Sequence, residues 1–217
     1  MYIASVENAI NEFKIMFSYN QQEAVQAGVS SYIQESNAYG GKIVSAEWIC
    51  STQKQTKGIE ITFDSDSGLR ANYLTIYYQK ASGEMLGGSK MLNAIIGCVK
   101  GSNLTSKAVQ DSSGTKYFCP ELEGKPIGLV LQKVLYTKQD GSDGYKFEIR
   151  IPFILQTGKT LAEQLGGKDA VAVEKMRSTL TDKDERKAGG ATQVNSGQQS
   201  SSMDNFVDDG WDALDNM

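Results

Sequence analysis

The chain has 217 residues, 40% of them hydrophobic, and a formal charge of −4. That suits one domain with an appendage, or two small domains, and excludes a wholly disordered chain. It contains no histidine, which removes Ser–His and Cys–His catalysis and the usual zinc ligand sets.

The amino terminus, MYIASVENAINEFK, lacks the basic-then-apolar order of a secretory signal. No apolar run approaches the ~18 residues that a membrane helix needs. Cys50, Cys98 and Cys119 are odd in number and form no C-x-x-C pair, which fits reduced thiols in a cytoplasm. Residues 1–41 read either as two short helices or as a strand leading into a helix, docked on a barrel formed by the strands beyond them.

From Lys42 the text is dense in β-branched and aromatic residues broken by Gly/Asp/Ser turns. Alternation predicts strands over Lys42–Thr52, Lys57–Asp66 and Arg70–Lys80. In the second, Ile59, Ile61 and Phe63 share one face, and Glu60 and Thr62 the other. In the third, Tyr73, Thr75 and Tyr77 oppose Leu74, Ile76 and Tyr78. A helix comes next over Ser89–Gly101, with Ser89 as N-cap, Gly101 just past its end, and an apolar stripe of Met91, Leu92, Ile95, Ile96 and Val99. After a polar loop, strands Pro126–Lys138 and Tyr145–Leu155 flank the turn QDGSDG, a hairpin signal. Tyr145, Phe147, Ile149, Ile151 and Phe153 are expected on one face of the last strand.

This order, β-β-β-α-β-β, is that of the OB-fold, a small, partly open five-stranded barrel. The fold class expected is therefore mainly β: an OB-fold-like barrel over residues 42–160, with helical N- and C-terminal additions. A generic α+β sheet would read similarly. Residues 161–187 are charged and read as a C-terminal helix. Residues 188–202, AGGATQVNSGQQSSS, cannot bury enough apolar surface to offset ordering and read as a flexible linker.

Residues 203–217 close the chain with Asp204, Asp208, Asp209, Asp212 and Asp215, without a lysine or arginine. Outside them, 22 basic residues face 21 acidic ones (26 less these five), so the acidity belongs to the tail and the body is near neutral. Phe206, Trp211 and Leu214 stand among the aspartates as apolar anchors for a partner's groove, and Trp211 and Leu214 are spaced for a short helix formed on binding.

No nucleophile–base pair, phosphate loop or metal cluster emerges. Gly-rich pieces lack the required spacing, and Asp64 and Asp66 fit an ordinary turn. No catalysis, metal or cofactor is expected. The strands instead mix rings with cations, which suits single-stranded nucleic acid: bases stack on rings and phosphates meet ammonium or guanidinium groups. The candidates are Trp48, Tyr73, Tyr77 and Tyr136 for stacking, and Lys57, Arg70, Lys80, Lys133, Lys146 and Arg150 for phosphates. Trp48 shares its face with Val44 and Cys50, so it reads equally as core.

The stretches TKGIEITFDSDSG, ANYLTIYYQKASGEMLGGSKMLNAIIGC and DGYKFEIRIPF, with the linker and acidic tail, resemble phage-encoded single-stranded DNA-binding proteins. The likeness covers Ser31 to Leu155 and the tail. It implies a host-cytoplasmic protein that protects single-stranded DNA in replication or recombination, with little sequence preference. It further implies that the tail recruits replication or recombination proteins and competes with DNA for the body. Bacterial relatives end on an Asp-rich Pro-Phe tip, whereas this chain runs through Trp211 and Leu214 to Met217, which points to phage partners. A phage assembly adaptor without nucleic acid, or a strand-annealing protein, are the other readings, and self-association is open.

Overall fold

The structure, a computed structural model, describes residues 16–186 apart from 26, 29 and 113. The described residues divide into two units, one up to Ser30 and one from Ser31 onward. The first holds one turn of helix, α1 (Gln21–Ala24), where the Asn20 side chain accepts from the Gln22 N–H at 3.0 Å. The linker (188–202) and tail (203–217) expected from sequence lie outside the described residues.

The second unit runs β1 (Asn37–Cys50), β2 (Lys57–Ser65), β3 (Arg70–Gln79), α2 (Gly88–Cys98), β4 (Lys107–Asp111), β5 (Gly114–Phe118), β6 (Pro126–Thr137), β7 (Asp143–Phe153), α3 (Leu161–Leu165), α4 (Ala172–Thr179) and β8 (Lys183–Asp184). It is mainly β, built on one open sheet whose pairings are antiparallel except for β6–β8. β1 organises it. One edge of β1 pairs with β2 from Gly41 to Cys50, while the other meets β6 over Asn37–Lys42 and β5 at Glu47–Trp48. Serving two partners on one edge requires a bend. It comes with the register shift at Ile43/Ser45, beside Gly41, where a Cβ would stand 2.1 Å from the Asp64 carbonyl oxygen.

The path β3-β2-β1-β6-β7 has the five-strand order and intervening helix read from the sequence, but it does not close into a barrel. Its end strands β3 and β7 pack together without pairing. Two elements fill the opening. α2 packs on both strands and sends Met91, Leu92, Ile95 and Cys98 into the core. Ser31–Gln34 runs along β3, the Ser31 carbonyl accepting from the Arg70 N–H at 2.8 Å and the Ile33 N–H donating to the Arg70 carbonyl at 2.9 Å. With α2 packed on both β3 and β7, these strands meet through side chains and not through a hydrogen-bonded ladder, and the sheet stays open.

The core obeys the predicted alternation. Ile59, Ile61 and Phe63 of β2, Leu74 and Ile76 of β3, and Ile127, Leu129 and Leu131 of β6 are buried around Ile95. Each such side chain contributes roughly 1.5–3 kcal/mol of burial.

Several local expectations change. β1 begins at Asn37, so the boundary at 41/42 falls inside a strand, and Ile33 already belongs to the core. The loop after α2 contains the hairpin β4–β5, hidden in sequence because almost all of its side chains are outside the core and carry no apolar alternation. Ser89 does not cap α2, whose N-cap is Gly87 without a side-chain bond, and Lys100 rather than Gly101 takes the left-handed turn at its end, at φ 56°. A register shift between Val130 and Leu131 of β6, opposite Ile151 and Ile149, splits the expected single face of β7. Phe147 and Ile149 face the main core, whereas Ile151 and Phe153 join Val130 beneath Ala172, Val173, Met176 and Leu180. Phe153 lies so close over Gly128 that a Cβ there would meet its ring at 2.0 Å.

The expected C-terminal helix is instead two short helices and a strand. Gly166 and Gly167 end α3, and Glu163 joins the two helices. One carboxylate oxygen accepts from the Thr160 N–H (2.8 Å) and hydroxyl (3.0 Å) in a capping box, the other from the N–H groups of Val171 (2.9 Å) and Ala172 (2.7 Å). α4 therefore covers the outer side of β6 and β7 and the Ala38 end of β1, β8 extends the sheet beside β6, and within this unit no described helix packs on the outer side of β2, β3 and the Glu47–Ile49 end of β1.

Candidate nucleic-acid interface

On the outer face of β1, β2 and β3 the cross-strand register sets residues in rows. One row is Ile49, Gly58 and Tyr77, and the next Glu47, Glu60 and Thr75. Beyond them, where the β2–β3 register shifts between Ile61 and Phe63, stands Tyr73. Gly58 makes room for the first row: the space a Cβ would take lies 2.9 Å from Tyr77 Cδ1 and 3.2 Å from Ile49 Cγ1. Tyr77 is 41% exposed and Tyr73 is 73% exposed.

Tyr73 holds a left-handed backbone, φ 60°. Such a conformation is unfavourable for a bulky side chain; it falls at the register shift, and the ring stays exposed. The predicted face Tyr73, Thr75, Tyr77 is thus present, with Leu74 and Ile76 buried behind it.

Between the rings lies a polar row. The Thr75 hydroxyl donates to Glu60 Oε2 at 3.3 Å, and Glu47 sits directly across from Glu60. Partial burial raises the Glu60 carboxyl above the usual range, and Glu47 adds to this, against the Thr75 hydrogen bond and Lys116. Phe118, opposite Glu47 on β5, extends the face toward β4.

The predicted cations divide. Lys57 stands exposed at the start of β2, one residue from Gly58, and forms no ion pair among the described residues. Arg70 is committed to Asp64 in a two-point ion pair of 2.6 and 2.8 Å, which also holds the Asp64 carboxyl below its ordinary value. Lys80 pairs with Glu84 at 2.9 Å and Lys146 with Glu148 at 2.7 Å. Lys133 lies 4.7 Å from the centre of the Tyr145 ring. Arg150 is half-buried within β7.

Trp48 is not a free stacking surface. Its indole N–H donates to the Thr105 carbonyl at 2.9 Å, and its ring meets Tyr78 edge-on at 5.8 Å against the core. Thr105 is itself pinned, its N–H (3.0 Å) and hydroxyl both donating to Glu121, whose carboxyl these bonds lower to about 2. Tyr136 is half-buried on β6 beside Gly144. Of the ten predicted residues, the fold brings Tyr73 and Tyr77 to one face, sets Lys57 at the exposed end of β2 on the alternate side of the strand from Gly58 and Glu60, and leaves Tyr136, Lys133, Lys146 and Arg150 on the β6–β7 hairpin.

Sequence reasoning missed Glu47, Ile49, Glu60 and Phe118 as members of this face. Alternation already turned Glu60 outward, but only the strand register shows that Glu47 lies beside it. Tyr32 and Tyr145, 49% and 43% exposed, were also missed; both flank Gln34, which accepts from the Tyr145 hydroxyl at 3.3 Å.

No protein-family model matches the chain, and no curated protein matches its sequence. Among the described residues no group of three or more acidic or cysteine side chains could hold a metal ion, and no helix is long and apolar enough to cross a membrane.

Proposed function

We propose that this chain binds single-stranded DNA through the outer face of β1, β2 and β3, as the phage-encoded binders that its sequence resembles do. The observation that carries the reading is Tyr73: a tyrosine held in a left-handed conformation and 73% exposed, two rows from Tyr77 on an uncovered sheet face. A ring presented to water at a conformational cost has a use outside the core. Bases stack on Tyr73 and Tyr77, and Lys57, exposed at the end of β2 next to Gly58, meets the backbone phosphates at the edge of the face. The strand path β3-β2-β1-β6-β7 and the helix between the third strand and the rest support assignment to the OB-fold, whose second and third strands serve oligonucleotides.

Binding requires no catalytic step, in keeping with the lack of a nucleophile–base pair in the sequence. The acidic segment Asp204–Asp215 offers Phe206, Trp211 and Leu214 to replication or recombination proteins and lowers the body's affinity for DNA by charge. The test is fluorescence anisotropy of a labelled oligo-dT of ~30 nucleotides, about two or more binding-site lengths, at low salt. The full chain binds, and removing residues 201–217 holds or raises affinity. Failure of both forms to bind would overturn the proposal.

A further inference from the structure

On that single-strand reading, we propose that Glu47 and Glu60 select bases by their amino groups, favouring cytosine, adenine and guanine over thymine and uracil. The fold itself does not need the arrangement these two residues make. The two carboxylates are direct cross-strand partners, and like charges so placed destabilise a sheet. Four outward carboxylates elsewhere are met by cations: Asp64 by Arg70, Glu84 by Lys80, Glu148 by Lys146 and Glu174 by Arg177. Glu47 and Glu60 form no ion pair among the described residues. Their polar surroundings on the adjoining strands are the Thr75 hydroxyl and the charge of Lys116.

Their position gives this pair a use. The row Glu47–Glu60–Thr75 lies between Tyr77 and Tyr73, and successive rows on one sheet face are ~6.6 Å apart, so a base on either ring brings its edge within reach of the carboxylates. An ionised carboxylate only accepts hydrogen bonds and repels phosphate, so the strand must lie there with base edges inward and phosphates outward. Cytosine offers its N4 amino group to such an acceptor, adenine its N6 and guanine its N2. Thymine and uracil present a carbonyl oxygen where cytosine has the amine, and that oxygen faces the carboxylate as a second acceptor. The preference is for base composition, and the stacking rings remain indifferent to sequence.

Oligo-dC and oligo-dU of equal length test this cleanly, because their bases differ in the amine-for-carbonyl exchange and the N3 proton it entails, and neither carries a methyl group. Anisotropy titrations of the full chain at neutral pH are expected to show oligo-dC bound at least about fivefold more tightly, the lower end of discrimination by one well-made base contact. The double variant Glu47→Gln, Glu60→Gln, whose amides both donate and accept, is expected to bring the two within about twofold while both still bind. Its thermal melt is expected to match or exceed the parent, since a like-charge repulsion is removed. Equal binding of the two oligonucleotides by the parent, or an unchanged ratio in the variant, overturns the assignment and leaves the single-strand reading intact. Binding of neither oligonucleotide overturns both.

Discussion

Tyr73→Asn separates the role of the ring from the needs of the fold. The residue sits at φ 60°, a conformation costing most side chains roughly 1–2 kcal/mol and asparagine least among those with a Cβ. Releasing that strain stabilises the variant. Against it stands the lost burial: with 73% of the residue exposed, only about a quarter of a ~200 Å² side chain is covered, on the order of 50 Å² or ~1.3 kcal/mol. The two offset, so unfolding free energy is expected to change by less than about 1 kcal/mol in urea melts, with an unaltered m-value. DNA binding has no such compensation. Loss of one stacked base costs ~1–3 kcal/mol, so the Kd for oligo-dT is expected to rise by about 5- to 150-fold. A stability loss beyond about 2 kcal/mol would make Tyr73 a packing residue and refute the reasoning. An unchanged Kd in a variant that melts like the parent would remove the ring from the interface.

Glu163→Gln keeps one accepting oxygen and sets an NH2 donor against at least one backbone N–H, that of Thr160 or those of Val171 and Ala172, and is expected to cost ~2–4 kcal/mol in a denaturant melt. Burial pushes the Glu163 carboxyl up, but hydrogen bonds from Thr160, Ala172 and Val171 outweigh it and hold it below 4.5. Its contribution is therefore present above pH 4.5 and lost as pH falls through the folded-state value, so the gap between parent and variant narrows in acid. Gly128→Ala drives a methyl group into the Phe153 ring and is expected to lower stability by at least ~2 kcal/mol, with loss of the α4 contact visible as faster amide exchange in Ala172–Thr179. Because burial raises the Glu60 carboxyl above 4.5, acidification from neutral toward that value neutralises it early, and oligo-dT affinity is expected to rise. In Glu60→Gln the rise should shrink, as pH titrations by anisotropy will read.

Much of this protein is written in local pattern. Alternation in KGIEITF and ANYLTIYY assigns Ile59, Ile61, Phe63, Leu74 and Ile76 to the core and turns Tyr73, Thr75 and Tyr77 outward, because a strand's period of two needs no knowledge of its partners. The same holds for the helix stripe that includes Ile95 and for the β6–β7 hairpin around its Asp-Gly turn. The hairpin β4–β5 was illegible since its residues stay on the surface, and the split of β7 depends on one shifted register that no alternation records.

Charge partners were the least readable feature. Arg70, Lys80 and Lys146 look alike in sequence to Lys57, yet three of the four are neutralised by carboxylates that folding brings within 3 Å. Trp48 likewise turns from a stacking candidate into a core ring only when the Thr105 carbonyl arrives from 57 residues away. Residue order alone settles which face of β2 and β3 is apolar and which carries the tyrosines, because the backbone's own period imposes it. Which of those outward groups stay available, and that Glu47 confronts Glu60 between two exposed rings, emerges with the folded sheet, because turn geometry and cross-strand register decide which side chains meet, even for ion pairs only two to six residues apart.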